Sequence, residues 1–585
     1  MKELRYINQF FIKYKYQIVI GVFITVAANI FKLYTPKFIG ACVDLVKNRL
    51  DNNLTEVAFE TQLINNILLL LGAACVTAIL TFFMRQTIIN VSRYIEYDLK
   101  NEIYKHYQIL SLNFYKSNRT GDLMSRISED VGKVRNYTGP ALMYTINTIT
   151  LFTVVLFTMY NLSPKLTYFT VIPLPILSFI IYKISRIINK RSTIVQQSLA
   201  ALSSFTQEHF SGISVIKSYG IESRTNHLFN NLSTQNKIKQ INLVKIQALF
   251  FPLMILLIGT SNLIVIWIGG SMYINDEIQN LGIIVEFLIY VNLLTWPVAT
   301  VGWVTDQVQQ AEAAQKRINE FLKQEPEIKN NNPNHISIEG NIEFKNVSYT
   351  YPDTGIKALK ELSFKLESGK TLAILGKTGS GKSTVLDLVG RLYDTSSGDI
   401  LIDGEPINSI NLYDLRESIG YVPQDAFLFS DSIINNIKFG KEDATDEEVI
   451  EAAKNAKVHD NIVEFKNGYD TILGERGITL SGGQKQRVSI ARAIIKTPKI
   501  LLFDDCLSAV DTETEEQILK NLLKISANST TIIVSHRVSS AKNADYIIVL
   551  DDGRIIESGT HESLSQGKGY YQTLYEKQLS EKVKK

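Results

Sequence analysis

The sequence is poor in charge and in cysteine. Asp, Glu, Lys and Arg make up only 20% of its 585 residues, against about 25% in an average soluble protein, and this deficit favours a membrane protein. The net charge of +3 provides no strongly basic field, so a nucleic acid is not favoured as a partner. Cys42, Cys75 and Cys506 are too few and too scattered for a disulfide framework or a tetrahedral metal site. A hydrophobic content of 45% excludes a disordered chain.

Uncharged stretches long enough to cross a membrane lie only in the first half of the chain. A bilayer core of about 30 Å needs about 20 helical residues, and the two longest stretches, 136–164 and 247–275, exceed that length. Shorter candidates are 16–31, 62–91 (interrupted only by Arg85), 166–182 and 287–305. A buried helix of a soluble core is the alternative for each stretch taken singly. Six of them in one half of a chain predict six membrane spans.

Basic residues orient these spans. The connection between the second and third spans and that between the fourth and fifth are rich in Lys and Arg, whereas 162–165 holds one lysine and 275–286 holds no Lys or Arg. Since basic residues accumulate on the cytoplasmic side, we expect a multi-pass protein of the inner (cytoplasmic) membrane with both termini in the cytoplasm. The two long connections should be helical hairpins that continue the spans into the cytoplasm.

The N-terminal residues show an amphipathic helical pattern. Leu4, Ile7 and Phe10 fall on one face, with Lys2 and Arg5 opposite. This pattern predicts a helix lying on the membrane surface.

The character of the chain changes after residue 322. A polar stretch with two prolines covers 323–340 and is typical of a linker. Beyond it, strand-like runs such as 371–375 and 500–503 alternate with helical patterns, and no further span appears. The sequence therefore predicts a six-span domain at 1–322, a linker at 323–340 and an α/β domain at 341–585.

A phosphate-binding loop follows the predicted strand 371–375 and leads into a helix that begins near Thr384. Glycines let backbone N–H groups converge on phosphate oxygens, Lys382 adds a positive charge at the β- and γ-phosphates, and Ser383 offers its hydroxyl to Mg²⁺. Nucleotide binding is therefore predicted, with ATP and Mg²⁺ as cofactors. The loop consists of Gly376, Lys377, Thr378, Gly379, Ser380, Gly381, Lys382 and Ser383.

A second metal ligand is predicted at Asp504. It ends the apolar strand 500–504, the place where phosphate-loop folds hold Mg²⁺ directly or through water. A buried strand that ends in Asp is common in α/β proteins, so the phosphate loop carries this assignment.

A Ser-Gly-Gly turn lies between these two motifs. Ser481, Gly482, Gly483 and Gln484 follow Leu480 and open a helix whose free N–H groups suit an anion. With this string the sequence resembles the ATP-binding cassette (ABC) proteins, whose signature it is. The resemblance implies that the signature contacts the γ-phosphate bound by an opposite subunit, so that two ATP molecules lie between two head-to-tail domains.

Other family elements follow in order. Tyr351 resembles the aromatic residue that stacks on adenine, with Tyr349 as a competitor. Gln424 resembles the glutamine that contacts Mg²⁺ and the attacking water, and His536 the switch histidine that bonds the γ-phosphate. Asp511, in the segment 508–511, resembles a residue at the dimer interface.

The resemblance extends through the membrane half. Segments 119–126 and 212–219 look like the two cytoplasmic loops of ABC exporters, and 296–317 looks like the sixth helix. The segment 474–477 resembles an exporter element that touches the membrane helices. The implied fold is an all-α six-helix transmembrane domain of ABC exporter type followed by an α/β P-loop ATPase domain.

Asp505 departs from the family pattern, which usually has Glu after the metal-binding Asp to polarise the attacking water. Asp keeps the carboxylate but retreats by about 1.5 Å, and errors of about 1 Å can cost on the order of 100-fold in rate. The family includes heterodimers in which one site is impaired in this way while its signature serves the other site. The residues favour a heterodimer with a second half-transporter and leave a homodimer open.

The resemblance implies ATP-driven export, by alternating access, of an amphipathic substrate such as a drug or a lipid. The expected partners are a second half-transporter subunit, membrane lipid and a small-molecule or lipid substrate, without nucleic acid. An ATP-gated channel or regulator is one alternative, and a soluble-type ABC ATPase acting on nucleic acid is another. Arg85, within the second span, either faces a cavity or a partner or extends along its helix to the membrane surface.

Overall fold

The computed structural model describes residues 2–474, 477–507, 512–525 and 529–583. They form two compact units. The first unit comprises Met1–Gln108 and Gly121–Gln324, and the second comprises Ile109–Thr120 and Glu325–Lys585.

The regular secondary structure described in the first unit is all helical. Besides α-helices, it includes a 3₁₀ turn at Glu3–Ile7 and π-helical turns at Arg126–Asp130 and Tyr137–Ala141. In chain order, with α4 belonging to the second unit, the helices are α1 (Asn8–Lys13), α2 (Lys15–Leu50), α3 (Glu56–Ile109), α4 (Leu112–Ser117), α5 (Thr120–Ser125), α6 (Val131–Asn136), α7 (Leu142–Leu162), α8 (Pro164–Val171), α9 (Pro173–Ser211), α10 (Ile213–Tyr219), α11 (Glu222–Ile274) and α12 (Gly282–Leu322).

Among the described residues, five helical stretches are long and apolar enough to cross a membrane: Lys15–Leu50, Glu56–Ile109, Thr120–Leu162, Glu222–Ile274 and Gly282–Leu322. They cover five of the six predicted spans except for residues 163, 164 and 275, and α8 with the first part of α9 covers the sixth, at 166–182. At 1.5 Å per residue, the 54 residues of α3 extend for about 80 Å. The longest helices therefore continue well beyond a bilayer core, as predicted.

The last long helix, α12, runs through the core of the first unit. Its Phe287, Tyr290 and Leu294 are fully buried beside Val155 of α7 and Val265 of α11. A helix with apolar residues on several faces is stable only when other helices surround it, and α12 packs against α2, α6, α7 and α11.

The N-terminal residues do not form the predicted membrane-surface helix, and that prediction was wrong. Leu4, Ile7 and Phe10 are buried within the protein, and the Glu3–Ile7 turn packs against α12. Asn319 of α12 donates hydrogen bonds from Nδ2 to the carbonyl and the carboxylate of Glu3, at 3.2 and 2.9 Å. The apolar face exists, but it is buried within the protein, and α12 packs against its Glu3–Ile7 part.

The described residues of the second unit form two β-sheets. The strands are β1 (Ile342–Thr350), β2 (Lys357–Leu366), β3 (Thr371–Gly376), β4 (Ser397–Ile402), β5 (Glu405–Pro406), β6 (Ile419–Val422), β7 (Ile500–Asp504), β8 (Thr530–Val534), β9 (Tyr546–Asp551) and β10 (Arg554–Gly559). An antiparallel sheet has the order β2-β1-β4-β5, and a second sheet has the order β10-β9-β3-β8-β7-β6, parallel except for β10.

Helices accompany the larger sheet. They are α13 (Lys382–Val389), α14 (Leu412–Glu417), α15 (Ile433–Lys438), α16 (Asp446–Asn455), α17 (His459–Val463), α18 (Gly482–Ile494), α19 (Thr512–Ile525), α20 (Val538–Ala541), α21 (His561–Ser565) and α22 (Tyr570–Val583). Every residue of β3, β7 and β8 is buried, as expected for parallel strands covered on both faces. Ligands of such sheets bind at the carboxyl ends of the strands, where the loops after β3, β7 and β8 meet.

Candidate nucleotide-binding site

The phosphate loop connects β3 to α13 through backbone that only glycine adopts easily. Gly376 has φ +152° and Gly381 has φ +97°. A Cβ at Gly381 would lie 2.3 Å from the carbonyl oxygen of Ala358, and one at Gly376 would lie 2.2 Å from that of Leu550. These two glycines therefore let the loop curl tightly at the end of the strand.

Lys382 lies at the centre of this curl. Its side chain is buried, and Nζ donates hydrogen bonds to the carbonyl oxygens of Gly376 and Lys377, at 3.0 and 2.8 Å. Burial lowers the pKa of Lys382, and the carboxylates of Asp505 and Asp504 oppose that effect. The loop thus holds a cation where phosphate oxygens would approach.

Ser383 and Asp504 form a pair of oxygen donors across the site. The Ser383 hydroxyl donates to Oδ1 of Asp504 at 2.9 Å. Burial raises the pKa of Asp504, and the hydrogen bond from Ser383 partly offsets that rise. Hydroxyl, carboxylate and amide oxygens are the ligands that Mg²⁺ takes from proteins, and Gln424 borders the same cavity, so the residues present fit this ion.

One cavity of about 350 Å³ joins most of the predicted site. The predicted residues that line it are Tyr351, Thr378, Gly379, Gly381, Lys382, Ser383, Thr384, Gln424, Asp504, Asp505 and His536. Gly376, Lys377 and Ser380 belong to the loop without lining the cavity. The Ser380 hydroxyl is buried and has no hydrogen-bond partner in the described part of the chain.

Sequence reasoning missed three apolar residues of the cavity wall. Ile356, Ala358 and Val534 line it together with the predicted residues. The rule that sites form at the carboxyl ends of strands could have predicted Val534, which ends β8, as a residue of the cavity wall. No motif marks Ile356 or Ala358, which reach the wall because the start of β2 and the residue before it pass beside the phosphate loop.

The two candidate aromatic residues have different surroundings. Tyr349 is fully buried in β1, whereas Tyr351 lines the cavity with its hydroxyl 3.0 Å from that of Thr384. The two rings meet edge to face, with centroids 4.9 Å apart. Of the two, Tyr351 has a ring available to a bound base.

Two further charged residues lie close to Tyr351. Lys116 of the short helix α4 places Nζ 4.9 Å from the Tyr351 ring and 4.8 Å from the ring of Tyr393, within the range of a cation–π interaction. On α13, burial raises the pKa of Asp387 to about 6, and Lys116 opposes the rise. No sequence motif distinguishes either residue from the other charged residues of the chain.

Asp505 and His536 follow neighbouring strands, β7 and β8. Asp505 has φ +42°, and its N–H donates to the carbonyl oxygen of Val534 at 2.9 Å. This left-handed conformation is one that Asp adopts more readily than longer side chains. The carbonyl of His536 accepts a hydrogen bond from Nε2 of Gln578 at 3.1 Å, which fixes the backbone at the histidine.

The signature residues lie outside this cavity. Ser481 caps α18 by accepting a hydrogen bond from the N–H of Gln484 at 3.3 Å, and the Gln484 side chain accepts one from the N–H of Ser481 at 2.9 Å. Gly482 and Gly483 form the first turn of the helix, and Ser481 and Gly482 are exposed. Asp511, and residues 475 and 476 of the predicted exporter element, lie outside the described residues.

Comparison with known proteins identifies both halves of the chain. The model of the ABC transporter transmembrane region matches residues 18–298, and the ABC transporter model matches residues 359–508. The probable multidrug resistance ABC transporter ATP-binding/permease protein YheI of Bacillus subtilis (strain 168) is 35% identical over 578 residues, which cover 98% of this chain and 97% of that protein.

Two further comparisons cover nearly the whole chain. The multidrug resistance-like ATP-binding protein MdlA of Escherichia coli (strain K12) is 35% identical over 96% of this chain and 94% of that protein. The solved structure of a bacterial Atm1-family ABC exporter with ATP bound has a TM-score of 0.80 at 26% identity, and the match covers 96% of this chain and 99% of that one. The chain therefore belongs to the ABC transporter family, as a membrane protein that joins a helical transmembrane domain to an ATP-binding domain and couples ATP hydrolysis to transport.

Proposed function

We propose that the chain is one half of an exporter that moves an amphipathic substrate, such as a drug or a lipid, across the cytoplasmic membrane by alternating access. The observation that carries the proposal is the single cavity that brings together Lys382, Ser383, Asp504, Asp505 and His536. In this assignment residues 1–322 form the membrane domain with both termini in the cytoplasm, 323–340 the linker and 341–585 the nucleotide-binding domain. The names of the relatives, which include multidrug resistance proteins and an exporter, support export.

The residues of the cavity have distinct roles in this proposal. The N–H groups of the phosphate loop and the Lys382 ammonium bind the phosphates of ATP, and Tyr351 stacks on the adenine. Ser383, Asp504 and Gln424 hold Mg²⁺, which when bound neutralises charge on the phosphates. Gln424 and Asp505 orient the attacking water, and His536 donates a hydrogen bond to the γ-phosphate.

The remaining assigned residues act on a second subunit. ABC exporters function as dimers of half-transporters, and the exposed Ser481 and Gly482 are available to a nucleotide held by the partner. We assign Gly483, Gln484 and Asp511 to the same interface. The intact signature beside the shortened carboxylate of Asp505 favours a heterodimer, in which this chain's own site hydrolyses ATP slowly and its signature serves the partner's site.

The test is ATP hydrolysis by the purified chain alone in lipid vesicles, beside Asp505→Glu and Lys382→Ala variants. We expect weak hydrolysis by the unaltered chain, with ATP still bound, because the Asp505 carboxylate is about 1.5 Å short of the position of a glutamate. Asp505→Glu should increase the rate by at least about 10-fold. Lys382→Ala should abolish both binding and hydrolysis.

Two results would contradict parts of this assignment. Fast hydrolysis by the unaltered chain, abolished by Lys382→Ala, would show that Asp505 suffices and would favour a homodimer. Movement of a fluorescent amphiphile down its gradient only, without uphill transport when ATP is supplied together with the partner subunit, would rule out an exporter and favour a channel.

A further inference from the structure

A polar cavity lies among the membrane helices, between α2, α3 and α7. It has a volume of about 160 Å³ and receives Lys32 from α2 and Arg85 from α3. Its polar wall is completed by Asn29, Tyr144 and Asn147, and among the described residues no acidic side chain lines it. Two cations thus share one small space among the membrane helices.

Neither cation is neutralised within the described part of the protein. The interactions of those residues include no ion pair and no hydrogen bond for Lys32 or Arg85. The Asn29 side chain instead donates to that of Asn147 at 3.1 Å, which joins α2 to α7 at the cavity wall. Charged side chains at membrane depth are costly and usually face a cavity or a ligand, and the cavity lining places Arg85 in that class.

Helix geometry directs both cations to the same level. The helices α2 and α3 run antiparallel, since Tyr14 contacts Asp98 while Gly21 lies against Ile88. Side chains on a helix lean towards its N-terminus, so Lys32 and Arg85 lean towards each other from opposite directions. An anion between them would receive donors from both helices, and an Arg guanidinium with a Lys ammonium suits a phosphate or carboxylate group.

The size of the cavity restricts what it can hold. Sites for whole drug-sized ligands have volumes of about 300–1,000 Å³, so a cavity of about 160 Å³ suits a head group. Exposed apolar side chains of Ile79, Phe82 and Phe83 belong to the same stretch of α3, where an alkyl tail would lie in the bilayer.

From these observations we propose that the cavity binds the phosphate-class anionic head group of a single amphipathic substrate, through Lys32 and Arg85. The proposal rests on the export function proposed above and specifies the chemistry of its substrate. It also gives Lys32 and Arg85 a shared role in binding the head group.

Calorimetric titration of the full chain in neutral maltoside detergent tests the proposal, with dodecyl phosphate, inorganic phosphate and dodecyltrimethylammonium as probes. We expect dodecyl phosphate to bind at least about 10-fold more tightly than either other probe. The Lys32→Gln/Arg85→Gln double variant should weaken its binding by at least about 10-fold, because two charge-assisted hydrogen bonds are lost. Equal affinity for dodecyl phosphate and inorganic phosphate would assign the cavity to a free anion and overturn the proposal.

A matched control removes the same charges from the same helices outside the cavity. Lys37→Gln/Arg93→Gln should leave dodecyl phosphate binding within about 2-fold of the unaltered chain, and both double variants should retain ATP binding as evidence of folding. Equal loss of affinity in the two double variants would overturn the proposal. So would a Lys32→Glu/Arg85→Glu variant that still prefers dodecyl phosphate to dodecyltrimethylammonium.

The two proposals fail in different ways. If transport assays detect no export but dodecyl phosphate still binds in a manner that requires Lys32 and Arg85, the anion site stands and the export function fails. If ATP-driven export is observed while the Lys32→Gln/Arg85→Gln variant binds dodecyl phosphate as tightly as the unaltered chain, the anion site fails and the export function stands.

Discussion

At the scale of single residues, the nucleotide-binding site depends on charges held in partly buried positions. Burial raises the pKa of Asp387 to about 6, above the value of an exposed carboxyl group. A raised pKa means that the folded protein binds this proton more tightly than the unfolded chain does. The ionised form is therefore a cost to stability, which is present above about pH 6 and disappears as the pH falls towards about 4.

Asp387→Asn should accordingly stabilise the nucleotide-binding unit at about pH 7.5 by up to about 3 kcal/mol, since the pKa is raised from 3.8 to about 6 and one pKa unit corresponds to about 1.4 kcal/mol. The amide keeps an acceptor for its neighbours and carries no charge. Thermal unfolding of the full chain in detergent should show a higher midpoint for the variant at that pH and equal midpoints near pH ~4. The exposed Asp399→Asn is the control, and a pH-independent difference for Asp387→Asn would contradict the assignment.

At the scale of elements, a buried carboxylate fixes the turn that follows His536. Glu515 of α19 is fully buried. It accepts hydrogen bonds from Nη1 of Arg537 at 2.6 Å and from the hydroxyls of Ser539 and Ser540 at 3.0 and 2.5 Å. Glu515 of α19 thus holds the turn next to His536 through three side-chain donors.

Replacing this carboxylate should slow hydrolysis more than it weakens ATP binding. In Glu515→Gln the acceptor charge for Arg537 is lost, so the turn at His536 is less well positioned, and we expect on the order of 10-fold slower hydrolysis. The affinity for ATP should change by less than about 2-fold. The neighbouring Glu516→Gln, at an exposed position, serves as the control. Equal effects of the two variants on hydrolysis would contradict a positioning role for Glu515.

A second inter-element link joins α12 to the π-helical turn at Arg126–Asp130. Asp130 is almost completely buried, and its carboxylate lies 2.9 Å from Nη1 of Arg317 and 3.2 Å from Nζ of Lys133. Removing Arg317 leaves the buried Asp130 carboxylate with Lys133 as its remaining cation, so its negative charge is less well compensated. The ion pair between Asp130 and Arg317 therefore fixes the C-terminal part of α12 relative to the turn.

We expect Arg317→Ala to lower the unfolding midpoint of the membrane unit by several degrees, because Asp130 stays buried with weaker compensation. Adding Asp130→Asn should restore part of the loss, since the uncompensated charge is then removed. Lys316→Ala, at an exposed neighbouring position, should leave the midpoint unchanged. The measurement is the thermal unfolding midpoint of each variant in detergent, followed by intrinsic fluorescence. A midpoint that is lower in the Arg317→Ala/Asp130→Asn double variant than in Arg317→Ala would contradict this explanation.

At the scale of the whole molecule, the position of the signature outside the cavity predicts that a substitution there affects ATP binding and ATP hydrolysis differently. Because Ser481 lies outside the chain's own cavity, Ser481→Arg should leave ATP affinity within about 2-fold while it abolishes hydrolysis in the assembled transporter. The measurement pairs equilibrium ATP binding by the isolated chain with hydrolysis in the presence of its partner subunit. A parallel loss of both would place the signature in this chain's own site.

Much of the organisation could be predicted from sequence, for identifiable physical reasons. The phosphate loop requires glycines at fixed positions, so the spacing of Gly376 and Gly381 is enough to predict the turn. Likewise, long uncharged stretches predict membrane spans, because a charged side chain is energetically costly in the bilayer core. By contrast, Ile356 and Ala358 reach the nucleotide cavity only because the start of β2 and the residue before it pass beside the loop, a contact between distant segments that carries no local signal.

The sequence by itself determined the membrane and ATP-binding halves, the phosphate loop and the shortened carboxylate at Asp505, because each depends on local composition or spacing. Only the tertiary structure decided what covers an apolar face or surrounds a charge. It buried the N-terminal turn against α12, where amphipathicity alone had indicated the membrane surface. It also brought Lys32 and Arg85 into one cavity, since the packing of antiparallel helices, rather than any sequence pattern, sets which side chains share a space.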